Sequence, residues 1–561
     1  MRQVQREWAG GGLRGLQAER DRFWSSLGLL PIGRGEGVGA GPREAAVLIG
    51  GLHATARRHG AIHGGRPYFA AGGELWRPER VGSGLFPGNL GGATQLGATL
   101  AQTFDGLCSD GGDLLYLARG QAAGFVRWTV GGSAFDTSPT VPLSGCAWYV
   151  GSLWGGTFDG VTWRLARCTG PTAYESPGWP LDSAPRAFAV VRDGLYVGTG
   201  GGLWRARGAV VGGAFVGEVA LLATGGATAG DFVALAEYGG ELYTWAAGEV
   251  MRYHVTASGG AALAPVGLRG WSCRGLVAVG GYLFAAVVTG LAGSDVGLWA
   301  YDGAGWWCLG RNLDGLHDYC WPLGMAGYFD NADLLSFGNG SSVAFGAQLR
   351  ARSTQAGLAP GGELTTSLWH GRDPDKLKGW TRVGAELAWP DGATFGPCTA
   401  TLAYSVDGGA TFVAAGSATV AGAAAQTLSF ALPLGTAGKW LALRYTLAGV
   451  TTGAPTLAAL WAEYRAMESP ERRRHWVFDV LATDGLIGRA GAPESRDGAT
   501  IAAELWAAWE GGGTLLFRDL DYDLAPIVRA VRIAGLEEAI GDPADAGRWG
   551  DSRVRVRLVE V

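Results

Sequence analysis

The sequence predicts a mainly β protein: a β-propeller of six or seven blades, then a β-sandwich, then a small α+β C-terminal domain. Three observations carry that expectation. Glycine supplies 98 of the 561 residues, more than twice the usual level of about 7%. The chain is nevertheless 47% apolar, with 24 Trp, 19 Phe and 16 Tyr, too much sticky surface for a solvated coil. A short phrase, glycine followed by leucine and an aromatic, also returns at nearly even intervals. No strict Gly-X-Y period exists, which excludes a collagen-like fibre. What remains is β structure with a turn every few residues.

The phrase reads Gly73-Glu74-Leu75-Trp76, then Gly112-Asp113-Leu114-Leu115-Tyr116, Gly151-Ser152-Leu153-Trp154, Gly194-Leu195-Tyr196, Gly240-Glu241-Leu242-Tyr243 and Gly281-Tyr282-Leu283-Phe284. From Leu75 through Leu115, Leu153, Leu195, Leu242 and Leu283 the steps are 40, 38, 42, 47 and 41 residues. A looser seventh copy is Gly327-Tyr328-Phe329. A second phrase follows inside several units: Gly202-Leu203-Trp204, Gly248-Glu249-Val250 and Gly297-Leu298-Trp299. Strand, glycine turn and returning strand account for that spacing. A unit of roughly 40–45 residues with four short strands is a propeller blade, and closing the ring removes exposed sheet edges. No G-H or W-D pair stands in register, so the repeat is not of the WD40 type.

The organisation expected along the chain is therefore an N-terminal arm with a short helix and a Gly-rich linker over 1–50, the propeller over 51–355, the sandwich over 356–468 and the α+β domain over 469–561. Leu13, Leu16, Phe23 and Trp24 among charged residues suggest the short amphipathic helix, and Gly33–Gly41 the linker. Alternating strands at Cys398–Ser405, Gln426–Phe430 and Trp440–Tyr445, with turn residues between, indicate the sandwich. In the last block Thr500–Trp509 has helical character and ends at Gly511-Gly512-Gly513, with strands expected at Trp476–Leu481, Thr514–Phe517, Ile527–Ile533 and Val554–Val561.

Charge and cysteine content narrow the function classes. Forty-five basic against 50 acidic residues give a net charge of −5, with no basic run, so no nucleic-acid footprint is expected. Seven scattered cysteines without a C-x-x-C suggest neither a zinc site nor a disulfide framework, and read as small buried residues in a reducing compartment. No apolar signal region follows Arg2 and Arg6. The uncharged stretch Gly275–Ser294 contains Gly280-Gly281 and reads as two buried strands rather than a membrane span, so no stable membrane insertion is expected.

Among local motifs, Ser405-Val406-Asp407-Gly408-Gly409-Ala410-Thr411-Phe412 matches the S-x-D-x-G-x-T-F Asp-box found in sialidases and many other β proteins. Ser405, Asp407, Gly409, Thr411 and Phe412 are expected to staple a hairpin turn: the acid caps it, the glycine permits the backbone, the aromatic packs beneath. His53, His59 and His63 form the one histidine cluster, at a spacing that fits no ligand helix. Asp519, Asp521 and Asp523 imitate an EF-hand start, but Leu524 stands where that loop needs glycine. No catalytic, cofactor-binding or metal-binding residues are assigned, and no cofactor is expected.

The domain order resembles that of tail proteins of long-tailed bacteriophages, of the minor tail or baseplate type. The segments that carry the resemblance are Trp369-His370 with Asp373-Pro374-Asp375-Lys376-Leu377-Lys378-Gly379-Trp380, the Tyr404–Phe412 hairpin, Pro455-Thr456-Leu457 with Trp461-Ala462-Glu463-Tyr464, and the closing module from Arg472 to Val561. They amount to about 200 residues. The resemblance implies a non-enzymatic virion component, assembled in the host cytoplasm and docked to other tail proteins through its C-terminal domain. It further implies a homo-oligomer within a symmetric assembly and a propeller that contacts a host-surface glycan or protein. The alternative expectation is a glycan-cleaving, sialidase-like or glycan-binding propeller, suggested by the Asp-box and the aromatic content.

Overall fold

Two consecutive residues with positive φ make the tightest hairpins, because their twist matches that of the flanking strands. This chain uses them repeatedly. Gly239-Gly240 has φ values of 61° and 80°, and Gly212-Gly213 has 60° and 87°. Val150 occupies the same kind of position at φ 43° in front of Gly151, although a β-branched residue is strained there. Much of the glycine excess is thus the local condition for short meanders.

The computed structural model describes residues 2–5, 8, 23–32, 37–40, 44–48, 58–64, 66–80, 90–192, 194–224, 231–255, 261–279, 281–288, 296–311, 319–322, 333–337, 343–348, 361–371, 374, 376–388, 395–422, 424–450, 454–467, 475–483, 495–518, 528–540 and 552–560. Within them the meanders form seven blades of a β-propeller. Blade 1 comprises Arg58–His63, Arg66–Ala71, Glu74–Arg80 and Leu90–Leu96; blade 2 comprises Gly106–Ser109, Leu114–Ala118, Val126–Thr129 and Phe135–Asp136. Blade 3 is Pro142–Tyr149, Ser152–Phe158, Trp163–Arg167 and Trp179–Leu181, with Gly120–Gly124 added beside its first strand. Blade 4 is Pro185–Val191, Gly194–Thr199, Gly202–Val211 and Ala214–Thr224, and blade 5 is Leu235–Tyr238, Glu241–Ala246, Glu249–Val255 and Ala261–Arg269. Blade 6 is Ser272–Val279, Tyr282–Val288, Val296–Tyr301 and Trp306–Arg311. Blade 7 takes three strands from Tyr319–Pro322, Asp333–Phe337 and Val343–Gln348 and its fourth from Glu44–Leu48.

The first strand of each blade touches the first strand of the next, and that of blade 7 touches that of blade 1. The ring is closed, and these first strands line its centre. Cores form between facing blades. Tyr68 and Leu75 of blade 1 meet Leu115 and Trp128 of blade 2, and Tyr243 and Trp245 of blade 5 meet Leu283 and Trp306 of blade 6. The repeat leucines Leu115, Leu153, Leu195, Leu242 and Leu283 lie on second strands and are buried at 3% exposure or less. Leu75 is out of phase: it belongs to the third strand of blade 1, where Leu203, Val250 and Leu298 sit in later blades. Gly327-Tyr328-Phe329 lies outside the described residues. The stretch around Gly281 is the first hairpin of blade 6, as its glycine pair implied.

Residues 23–48 depart from the expected arm. Phe23 and Trp24 stand on a strand, Phe23–Leu27, not a helix, and part of the expected linker is the strand Gly37–Ala40; Leu13 and Leu16 lie outside the described residues. The cause is tertiary: these segments complete the sandwich. One of its sheets runs Leu29–Ile32, Gly37–Ala40, Thr456–Ala466, Lys378–Ala388, Gln426–Ala431, with Arg2–Gln5 also on Thr456–Ala466. The other runs Phe23–Leu27, Gly361–Thr366, Ala442–Ala448, Phe395–Ser405, Val413–Gly422. The propeller is therefore inserted between the N-terminal strands of the sandwich and the rest of it.

Sandwich and propeller share one hydrophobic core. Phe284, Leu298 and Trp307 of blade 6 pack in the same cluster as Leu29, Leu364, Trp380 and Leu457. Main-chain groups join them as well: Gly28 donates its N–H to the Cys308 carbonyl at 2.9 Å, and Tyr282 donates its hydroxyl to the Pro31 carbonyl at 3.0 Å. In the C-terminal domain an antiparallel sheet ordered His475–Ala482, Ser552–Glu560, Val528–Ile540, Leu515–Arg518 carries the helix Gly498–Gly511 on one face. Asp497 caps that helix by accepting from Thr500 N–H at 2.6 Å, and Gly512 ends it in the left-handed conformation.

Close approach of backbones fixes where the blades meet. A Cβ at Gly198 would lie 2.0 Å from the Phe232 carbonyl oxygen, where blade 4 meets the segment entering blade 5. Gly198→Ala is expected to destabilise this junction by about 2 kcal/mol. Hydrogen exchange of peptides covering 194–204 and 231–246 should then accelerate by roughly thirtyfold; unchanged exchange would show that the junction has slack.

Candidate functional site

The most distinctive surface lies on the face of the C-terminal sheet away from the helix. Alternation places Trp476, Phe478, Val554, Val556 and Leu558 inward with Ile501 and Leu505 of the helix. Phe517 of the far edge strand stacks on Phe478 and meets Trp476 edge-on, centroids 5.7 and 5.2 Å apart, so the sheet is strongly coiled. The intervening residues point outward. Val477 and Leu481 are 62% and 47% exposed, and Leu516 is 80% exposed. Between these apolar edges runs an arginine row: Arg553, Arg555 and Arg557 on one strand.

The row is partly neutralised within the sheet. Asp479 pairs with Arg555 at 3.0 Å and with Arg553 at 3.7 Å, and Glu537 pairs with Arg557 at 2.5 Å. The hydrogen bond from Arg555 holds the Asp479 carboxyl below the ordinary carboxylate range, and the same bond raises Arg555. These pairs are solvent-exposed, so each contributes little stability. A shallow open depression of about 440 Å³ lies beside them, lined by His475, Val477, Arg555, Arg557 and Val559 among others. Exposed apolar groups flanking oriented charge describe a surface for a macromolecular partner rather than a small-molecule pocket.

The Asp-box joins the sandwich strands Phe395–Ser405 and Val413–Gly422. Ser405 donates its hydroxyl to Asp407 Oδ1 at 2.5 Å and accepts from Gly409 N–H at 2.9 Å. Asp407 Oδ2 accepts from the Thr411 amide at 3.0 Å and the Thr411 hydroxyl at 2.5 Å. Gly408 and Gly409 have φ values of 77° and 89°. Phe412 is covered by the Arg444 guanidinium, 3.9 Å from its ring centre. Both oxygens of Asp407 thus serve the turn that contains them. Desolvation pushes its pKa up, but the Ser405 and Thr411 hydrogen bonds outweigh it and hold the group at about 2.

The remaining candidates are dispersed. His63 and Ser109 bridge blades 1 and 2 through Nδ1 and Oγ at 2.7 Å, with His63 edge-on to Tyr68; His53 and the Asp519–Asp523 acids lie outside the described residues. Among the described residues no group of three or more His, Cys, Asp or Glu is arranged to hold a metal ion. Cys108, Cys146 and Cys168 share the blade 2–3 core as free thiols. Burial pushes Cys168 and Cys273 up to about 12, so they are packing groups at neutral pH. No helix among the described residues is long and apolar enough to cross a membrane. The outer sheet face was missed by sequence reasoning, although the alternation in Val477-Phe478-Asp479-Val480-Leu481 and Arg553–Arg557 already marks two faces.

No protein-family model matches the chain, and no curated protein matches it. Among solved structures it is similar to a catalytically inactive virginiamycin B lyase from Staphylococcus aureus, at 13% identity over 55% of this chain and 99% of that one, TM-score 0.40. It is also similar to a streptogramin B lyase, at 10% identity over 55% and 98% of the two chains, TM-score 0.39, and to the protein U3-55K, at 11% identity over 54% and 98%, TM-score 0.39. None of their activities is carried to this chain.

The hairpin staple has a pH signature. Because Asp407 titrates near 2 when folded, below its ordinary value of about 3.9, its stabilisation is complete above that ordinary value and is lost as pH falls through about 2. Asp407→Ala should weaken the hairpin locally by about 1 kcal/mol at neutral pH, accelerating hydrogen exchange over 405–412 roughly fivefold. The difference between variant and parent should shrink on acidification; one that persists unchanged at the acid end would assign the stability elsewhere.

Proposed function

We propose that this chain is a non-enzymatic structural component of a bacteriophage tail or baseplate. Its C-terminal domain docks onto other tail proteins, and its propeller is displayed towards the host surface. The observation that carries this reading is the outer face of the C-terminal sheet, where Val477, Leu481 and Leu516 stand exposed around the arginine row. Apolar side chains at such exposure on a sheet backed by a packed helix are the features of an interface. The shared core of sandwich and blade 6 supports it too, because a rigid connection holds a displayed ring in a set orientation.

A second reading, recognition of a host-surface glycan, rests on Trp271. It is 61% exposed, the one exposed tryptophan among those whose side chains are described, and it precedes the first strand of blade 6. An indole face open to solvent is a stacking platform for a sugar ring.

Mass-spectrometric inventory of purified phage particles is expected to find the chain, and Leu516→Asp to lower its incorporation at least tenfold while the soluble protein remains folded by circular dichroism. A chain absent from particles, or unaffected incorporation, overturns the docking reading. On a glycan array, binding that disappears with Trp271→Ala supports the second reading; an array without hits removes it.

A further inference from the structure

We infer that the edge strand His475–Ala482 pairs with the same strand of a second copy, joining two C-terminal sheets across a two-fold axis. Within the described residues this strand pairs only with Ser552–Glu560, leaving its other edge without a strand. Such an edge is a template for pairing unless the sequence protects it with proline, lysine, a bulge or short length. In the first six blades of the propeller such protection is visible. The outer strands of blades 1, 4, 5 and 6 all break register with their neighbours, and those of blades 2 and 3 have only two and three residues. The strand HWVFDVLA has eight residues, no proline, no lysine and an unbroken register.

The occupant is chosen by self-complementarity, because an isologous contact must match a strand to itself. With the axis at Val477, antiparallel pairing sets Val477 against Val477 on the outer face and His475 against Asp479, twice. On the inner face it sets Trp476 against Phe478, also twice. An imidazole facing a carboxylate and aromatic pairs directly across strands are favourable. Shifting the axis to Phe478 puts Val477 against Asp479; shifting it to Asp479 puts two carboxylates together. The register at Val477 is the best matched of the three. It also extends the charged row of the outer face, since Asp479 already accepts from Arg555.

The inference deepens the assembly reading and rests on it only for the setting in which the dimer is used. The full chain is expected to sediment as a concentration-dependent dimer in the micromolar range. Val477→Cys is expected to cross-link into a dimer under copper–phenanthroline oxidation, above the background of the unmodified chain. Leu481→Cys, whose residue falls opposite position 473 outside the strand, is not. His475→Asp, which sets carboxylates against Asp479, is expected to weaken dimerisation at least tenfold, and Leu516→Asp on the far edge to leave it unchanged. A monomer at all concentrations, or equal cross-linking at 477 and 481, overturns the inference. In that case the particle inventory still decides docking, because contact with a different tail protein requires no dimer.

Discussion

Closure of the propeller ring depends on one pairing of distant segments. Blade 7 is completed when Glu44–Leu48 pairs with Val343–Gln348, three hundred residues further along, in register from Leu48 against Val343 to Glu44 against Ala347. Without that strand the last blade has an open edge, and the ring is a curved stack whose ends are held only by side-chain packing. The pairing constrains what precedes it. Glu44 must leave the strand Gly37–Ala40, which is held in the sandwich through Val38 against Leu457. The N-terminal segment thus enters both sandwich sheets before it closes the ring, and the propeller folds as an insertion anchored at both ends. Anchoring of this kind lowers the entropy lost when the final strand docks, since its neighbour in sequence is already positioned.

The periodic part of this architecture was legible because each blade solves the same local problem. Glycine at the hairpins, an apolar second strand and an aromatic after the leucine reflect turn geometry and burial between sheets, which act over a few residues. The phase of the repeat was less legible. Leu75 and Leu203 occupy third strands, yet the phrases around them resemble those of second strands, since both strands are buried on two faces. The C-terminal helix and its strands followed the sequence closely for the same reason: a capped helix beside alternating strands is a local pattern. The arm was misread because Phe23 and Val38 are held on strands by partners, Thr366 and Leu457, more than three hundred residues away. Amphipathic spacing over one short segment cannot register such partners. The Asp-box staple was readable because all its hydrogen bonds fall within seven residues, whereas the outer sheet face is assembled from four separated strands.

Coupling between the parts follows from what they share. Blade 6 has two apolar faces: Leu283 and Ala285 face blade 5, while Phe284 and Ala286 face the sandwich core. A single strand, Tyr282–Val288, therefore belongs to two cores, and rotation of the propeller against the sandwich would expose side chains that are fully buried. At roughly 25 cal/mol per Å² of apolar surface, even a modest opening of that interface costs several kcal/mol, so the two act as one body.

Exposed aliphatic groups normally lower solubility, and proteins tolerate them where a partner covers them. On the outer C-terminal face, Asp479 and Glu537 bind the arginine row within the sheet, so that surface is not a simple cationic patch. Pre-paired charges lose less on contact than free ones, because part of their hydration is already replaced. The apolar edges can then supply the burial and the charged row the orientation. A partner that fits must bring both an apolar strip and charges placed to meet bound ion pairs. That demand is narrow enough to discriminate one partner surface from others.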